Sequence, residues 1–514
     1  MITQAGVKMK NRVIGLKNYL AYGSGDFLGA GTTALTAAWL LYFYTNFCHL
    51  TPIEATFIFA AARVADAVIS PLMGYLTDNF GRTRLGKRFG RRKFFILLGI
   101  PLIFSYSVMW APGMSYIYYL LTYLFFDIVY TMVLVPYETL VPEMTDDFKQ
   151  KTKFSGARIS MAQLSAILAG FLPGILLSYF GKDNAISFFY SSLVFSILCS
   201  IALCMVYLFT WERPKELKSK EALQAEEEAA SLTFKESFKH LIIELLSTFK
   251  IKIFRQHLGM YLGGYIAQDV FNAVFTYYVI FVLLQEPTVA SMLIGTMSIT
   301  QFIAVLCMMP LCIKYGPAPS YRGVVTIFGI SCLAYGIVWY YNLSHIHTLL
   351  ITISAIAGLG RGGINYVPWN IYTYISDVDE MITGKRREGI FAGVMTFTRK
   401  ASQAGAVMLI GVCLQMSGFV SGQTQQPPEV SQTILFLLVF GTVFVLTLGF
   451  LISLKFKLNL KTHSVLINEI KNMKGIGTNP DKKITDEGKP IVEMLTGMPV
   501  AELWGNNNIG YKKK

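Results

Sequence analysis

The chain has 514 residues, of which 53% are hydrophobic, 14% aromatic and only 15% charged, with a mean hydropathy of +0.48. A soluble chain carries about 25% charged residues, so this composition excludes a soluble globular protein and indicates one that crosses a membrane many times. The formal net charge of +14 would suggest nucleic acid in another setting. Here the positive residues fall in every second loop, as the positive-inside rule requires of a membrane protein, and no nucleic-acid partner is expected.

Twelve apolar segments follow in order, at about residues 16–47, 53–77, 94–111, 115–141, 159–180, 186–211, 256–284, 291–313, 324–341, 348–375, 390–416 and 433–454. The first is preceded by Lys8, Lys10, Arg12 and Lys17, but it is too long for a signal-peptide core and reads as an uncleaved span. Basic residues crowd the loop at 78–93 and return at Lys149, Lys151 and Lys153, at 212–255, at Lys314 and Arg322, and at Lys385, Arg386 and Arg387. The alternate loops at 49–52, 112–114, 285–288, 342–347 and 418–432 carry no Lys or Arg, and 181–184 carries only Lys182. Both termini and the basic loops are therefore expected in the cytosol, with the chain a multi-pass protein of the cell membrane. Seven cysteines, mostly inside apolar runs, read as buried free thiols.

Residues 212–254 form a charged linker with an acidic run at Glu226, Glu227 and Glu228. An amphipathic helix is expected at 237–246. The tail, 457–514, is polar, holds one short amphipathic stretch at 465–473 and is otherwise expected to be flexible. The parts on either side echo each other. Val135-Pro136-Tyr137 in the fourth segment recurs as Val367-Pro368-Trp369 in the tenth, 232 residues on, and each is followed by a short acidic run. Two six-helix halves, 1–211 and 255–456, joined by a cytosolic linker, are the repeat pattern of an all-α major facilitator fold, in which substrate binds near the midplane between the halves.

Charge inside the apolar segments marks candidate sites. Arg63 and Asp66 share a helical face within a stretch long enough to span the bilayer. A carboxylate there costs about 2.5–3.5 kcal/mol and needs a partner. The competing readings are a packing ion pair and a cation site, and the second is favoured because the helix has charged company. Asp66, Asp127, Asp269, Arg361 and Lys400 all come out roughly 15–20 Å deep at about 1.5 Å per residue. Asp26 lies nearer the cytosolic third of the first span, and Arg158 opens the fifth. Pro136, Pro142 and Pro368 free backbone carbonyls where a cavity is expected. Tyr137 and Trp369 would offer rings to the C–H face of a sugar, with ordinary packing as the alternative for each. Gly358-Leu359-Gly360-Arg361-Gly362-Gly363 fits a dinucleotide fingerprint, but no strand precedes it. It reads as close helix packing, as do Gly25-x-x-x-Gly29 and Gly389-x-x-x-Gly393. His345 and His347 alone do not make a metal site. No catalytic constellation, metal or cofactor is indicated, so the protein is not expected to be an enzyme.

Several motifs, in order over roughly residues 15 to 455, are similar to the glycoside–pentoside–hexuronide:cation symporter family, which is melibiose-permease-like. They are Tyr22-Gly23-Ser24-Gly25-Asp26, Arg63-x-x-Asp66-x-x-x-Ser70-Pro71-x-x-Gly74 and Val135-Pro136-Tyr137 through Pro142-Glu143-Met144-Thr145-Asp146. Arg158, Pro368-Trp369 with Asp377 and Asp379, Gly384 to Gly389, and Lys400 complete the set. The resemblance implies sugar uptake coupled to sodium, lithium or protons. It implies that Asp66 is an acid of the cation site, with Arg63 beside it, and that Lys400 and Arg158 lie near cation and sugar. The family's second acid is Ser70 here. Its sugar acids fall on Ala30 and Leu134, with Asp26 as a substitute on the first span, and a stacking tryptophan falls on Glu138.

The expectation is thus a cation-coupled symporter, using protons or sodium, of a sugar, glycoside or hexuronide. Asp66, Ser70 and Arg63 are assigned to the cation. Asp26, Tyr137, Glu138, Arg158, Arg361, Trp369 and Lys400 are assigned to the substrate. Arg361, Arg158 and Lys400 favour an acidic sugar, although ion pairs within the cavity explain them equally well. Asp78, Asp146, Asp377 and Arg387 are expected to act with the basic loops as cytosolic latches. Membrane lipid is the expected surrounding, and a monomer the expected state. The rival readings are a lysolipid or other amphiphile carrier of the same fold and a non-transporting sensor or scaffold.

Overall fold

A computed structural model describes residues 14–81, 83–145, 147–181, 184–212, 243, 245–341, 346–384, 387–475, 483–507 and 509. The expected linker helix at 237–246 lies largely outside the described residues, as do Asp146, Lys385, Arg386 and His345. So does the side chain of Asp78.

The described chain is almost wholly helical, and each of the twelve apolar segments is a helical span. The first runs from Leu16–Ser24 through three π turns, Phe27–Gly31, Thr36–Leu40 and Phe43–Phe47. The others are Pro52–Phe80, Lys93–Leu102 continued by Ser105–Val108, Tyr116–Glu138, Phe148–Phe180, Ile186–Phe209, Lys252–Tyr277, Pro287–Tyr315, Pro317–Tyr341, Ile346–Thr383, Glu388–Met416, and Pro428–Phe436 continued to Leu454. Eight are long and apolar enough to cross a membrane by length and composition alone. The tenth and eleventh are interrupted by Arg361 and by Arg399 and Lys400, the residues that matter below.

Several helices outrun their apolar stretch. The fifth starts at Phe148, about three turns before its apolar stretch begins, because Asp147 caps it by accepting from the Lys149 amide at 3.0 Å. The third starts where the Glu212 carboxylate, at the end of the sixth, accepts from the amides of Arg91, Arg92 and Lys93 at 2.7–3.0 Å. A carboxylate on free N-terminal amides is favoured by hydrogen bonding and by the helix dipole together. The internal repeat is visible in the backbone. The first and seventh spans each end in a π turn, Phe43–Phe47 and Tyr278–Val282, and each is followed closely by a left-handed residue, His49 (φ 56°) and Leu284 (φ 52°).

The halves meet along two helix pairs, the fifth with the eighth and the second with the eleventh. Among the described residues, the polar contacts that join them lie at mid-depth or toward the face opposite the basic loops. Ser291 Oγ donates to the Gly170 carbonyl (2.5 Å) and accepts from the Gly174 amide (2.9 Å). Thr45 and Tyr277 hydroxyls lie 2.6 Å apart, Thr276 donates to the Ala38 carbonyl (2.7 Å), and Ser421 to the Leu50 carbonyl (2.7 Å). Small residues permit this approach: a Cβ on Gly170 would lie 2.7 Å from the Gly295 Cα, and one on Gly411 would overlap Thr56. The glycine run at 358–363 packs in the same way on the eighth and ninth spans, where added Cβ atoms would strike Thr300, Phe328, Gln301 and Val324. Gly389, expected in a packing pair, faces open space.

The tail departs from its expected flexibility. Asn459 caps a helix, Leu460–Met473, and a second helix spans Lys489–Thr496. Leu466, Ile470, Val492, Leu495 and Leu503 are buried. The tail rests on the end of the tenth span: the Trp504 and Gly505 amides donate to the Met381 and Ile382 carbonyls, both at 2.9 Å, and Lys474 pairs with Glu380 at 2.6 Å. Its apolar residues are too sparse to suggest a core in sequence, yet they suffice to cover a helix end that already exists.

Candidate functional site

Asp66 sits on the second span with its side chain fully buried. Its Oδ1 accepts from Ser70 Oγ (2.8 Å), one turn on, and from Thr131 Oγ1 of the fourth span (2.7 Å). Its Oδ2 pairs with the Lys400 ammonium of the eleventh span, which also reaches Ser70 Oγ at 3.3 Å. Arg63 lies 3.8 Å from Asp66 and leans instead to Asp127 Oδ1 (3.3 Å) and the Tyr123 hydroxyl (3.4 Å). The expected set of Arg63, Asp66, Ser70 and Lys400 is therefore one cluster, and Thr131, Tyr123 and Asp127 join it. Lys400 is the member from the other half, and it is 23% exposed, so water reaches the cluster.

Across from it, Asp269 of the seventh span is held by both guanidinium nitrogens of Arg399, and its Oδ1 also accepts from Gln403 (3.2 Å). Arg399 lies over the Tyr265 ring at 5.0 Å. Sequence reasoning placed Asp269 at the right depth but missed Arg399; the signal was a second base beside Lys400 inside an apolar run. A cavity lies between these clusters, lined among others by Thr33, Arg63, Tyr123, Asp269, Asn272 and Gln403 from both halves. A smaller one adjoins at Asn272 and is lined by Arg361, Gln301 and Ala38. Arg361 donates to Asn272 Oδ1 at 2.8 Å and lies 5.4 Å from the centre of the Phe271 ring.

Asp26, Glu138 and Arg158 form a separate cluster. Arg158 pairs with Asp26 at 3.3 Å and with Glu138 at 2.8 Å, and Glu138 is 51% exposed. Tyr137 does not offer the ring face expected of it. It is fully buried, stacked on Tyr22 with ring centres 4.8 Å apart, and donates to the Tyr22 carbonyl at 2.7 Å. Gly25 also lies against it, its missing side chain leaving room for the ring, and the Arg158 guanidinium lies 5.6 Å from the ring centre. Trp369 is 39% exposed, donates to the Tyr265 hydroxyl at 3.1 Å and meets Tyr261 and Tyr372 edge-on. It is not among the residues lining either cavity. Asp377 and Arg387, expected as cytosolic latches, have described partners in the second half, the end of the linker and the tail: His463 for Asp377 (2.8 Å), Asp379 (2.6 Å) and Ser247 (3.1 Å) for Arg387. A docked tail could not be foreseen from its composition, and it brings His463 to Asp377.

Residues 21–460 match the family described as MFS/sugar transport protein. The chain is 24% identical over 490 residues to an uncharacterized symporter of Synechocystis, covering 79% of this chain and 87% of that one. It is 23% identical over 489 residues to a glucuronide carrier protein homolog of Escherichia coli, covering 91% and 98%. The fold is similar to that of a nucleoside transporter known by crystallography, with a TM-score of 0.56 at 15% identity, covering 86% of this chain and all of the other. With twelve spans in two repeated halves around a charged chamber, and this match over most of its length, the chain belongs to the MFS/sugar transport protein family.

Proposed function

We propose that the protein is a secondary active transporter that carries a sugar or glycoside together with a monovalent cation, proton or sodium, by alternating access. The observation that carries this reading is the contact of Asp66 with Lys400, one charge from each half, at mid-depth beside a chamber lined by both. The Lys400 ammonium occupies the carboxylate oxygen that a coupling cation would use. A proton or sodium ion on Asp66 releases Lys400, with Ser70 and Thr131 oxygens at hand to complete a hard-oxygen site. Binding then differs between a state in which the pair is closed and one in which it is parted, which is the requirement for coupling. Ser70 in place of a second acid keeps this site singly charged, so one cation per cycle is the matching stoichiometry.

The contacts between the halves leave the chamber closed on the face opposite the basic loops. With those loops in the cytosol, this is the inward-facing state. Substrate would lie in the chamber between Arg63, Tyr123, Asp269 and Gln403, and Asp26, Glu138 and Arg158 would line its route to the cytosol. No cofactor besides the coupling ion enters this scheme.

The test is uptake in membrane vesicles under an imposed proton or sodium gradient. Wild type should accumulate sugar in response to one gradient, and Asp66→Asn should lose the response while keeping downhill exchange. Gradient-driven uptake that persists unchanged in Asp66→Asn removes Asp66 from the role.

A further inference from the structure

Four of the five basic groups set within the spans of the site face a carboxylate: Lys400 has Asp66, Arg63 has Asp127, Arg399 has Asp269, and Arg158 has Asp26 and Glu138. Arg361 does not. Among the described residues it makes no ion pair, its one hydrogen-bond partner is the neutral Asn272, and its buried Nε has no partner. Asp269 is near enough to act on it electrostatically, but both carboxylate oxygens are taken by Arg399 and Gln403. The glycines flanking Arg361 hold the tenth span tightly against the eighth and ninth, so the guanidinium cannot swing far to find a protein acid.

An unpaired guanidinium in a membrane protein is costly unless something supplies its counter-charge. Arg361 lines a small cavity that shares Asn272 with the main chamber. A guanidinium offers five N–H donors in a rigid fork matched to a planar or tetrahedral oxyanion. Asn272 takes only one of them.

We infer that Arg361 receives an anionic group, carboxylate or sulfonate, on the transported sugar, with Asn272 as the positioning residue that turns the fork toward the cavity. This rests on the transport reading above and names its substrate class. It also separates three bases that look alike in sequence: Arg158 and Lys400 are neutralised by protein acids, which leaves Arg361 to select for charge. Binding of the anion cancels a charge that the empty site carries, so a neutral sugar of the same shape would leave that charge unpaired.

The experiment uses the purified full-length protein in nanodiscs, with calorimetric titration in sodium and in potassium buffer at two pH values. The probes are matched pairs: glucose with glucuronate, galactose with galacturonate, methyl glucoside with methyl glucuronide, and glucose with 6-deoxy-6-sulfoglucose. The anionic member of at least one pair should bind at least tenfold more tightly than its neutral counterpart, and the arm in which it does so tells carboxylate from sulfonate. Arg361→Lys keeps the charge but loses the fork, and should cut that ratio at least tenfold; Arg361→Gln should abolish it, and Asn272→Ala should weaken it less. In wild type alone, equal or tighter binding of the neutral members overturns the inference, and needs no variant to fold. Neutral binding that still depends on the cation overturns the anion subsite while leaving symport standing. Failure of every pair to bind overturns both, and an unchanged ratio in the Lys and Gln variants removes Arg361.

Discussion

Replacing Asp66 by Asn keeps the shape of the side chain and removes its charge. The loss is felt through Lys400, which is left with Ser70 Oγ at 3.3 Å, and through Arg63, which keeps Asp127 at 3.3 Å and the Tyr123 hydroxyl at 3.4 Å. Removing one partner of a buried pair costs about 3–5 kcal/mol. Water reaches Lys400, which is 23% exposed, so the lower end applies, about 3 kcal/mol. Lys400→Gln should cost a similar amount, because it leaves the buried carboxylate with two hydroxyl donors and the more distant Arg63 at 3.8 Å. The double variant orphans neither charge and should recover at least about 1 kcal/mol relative to the sum of the singles. The assay is the denaturant or thermal midpoint of the four proteins of the cycle in one detergent. If the double variant is as unstable as the two singles added together, the pair does not bridge the halves as described. The same cycle read by gradient-driven uptake separates stability from coupling, since the double variant should fold well and still ignore the gradient.

Three further outcomes follow from the geometry. Gly170→Leu forces a side chain into the Gly295 backbone, where even a Cβ would sit at 2.7 Å; it should disfavour the closed seal by about 1–3 kcal/mol. Cysteines placed along the fifth and eighth spans should then label faster from the opposite face. Leu495→Asp, in the buried face of the last tail helix, should release the tail, seen as rapid proteolysis after residue 460 with the membrane part still folded. Arg399→Lys loses the two-nitrogen grip on Asp269 and should lower sugar affinity about tenfold or more, whereas the reverse swap Lys314→Arg, in the last turn of the eighth span and outside the chamber, should leave titration curves unchanged.

The spans, their order and the depth of the charges were legible because lipid leaves no alternative: an apolar run must be a helix, and a charge within it must face inward. The match of Arg63, Asp66, Ser70 and Lys400 to one cluster follows from that rule together with the family likeness. The rule is silent about which acid meets which base, because the answer depends on helix rotation. Asp127 therefore surfaced as the partner of Arg63, and Arg399 as that of Asp269, only in three dimensions. Tyr137 shows the opposite error. Its neighbour Pro136 suggested a lined cavity, but Gly25 across the interface lets the ring fill the space itself. The tail was misread because its few leucines and isoleucines are judged poor by local composition, although they need only cover the end of a helix that is already built.

The closure between Gly170, Ser291 and Gly295 is made of backbone and one hydroxyl, with no ionisable group. Parting it costs dispersion and a pair of hydrogen bonds, and that cost is the same in any salt. In the proposed cycle, sensitivity to ions rests instead on a bond deeper in, between the Asp66 carboxylate and the Lys400 amine. Under the proposed cycle, the seal is thereby indifferent to the medium, and the cation that arrives at that bond decides when the halves move.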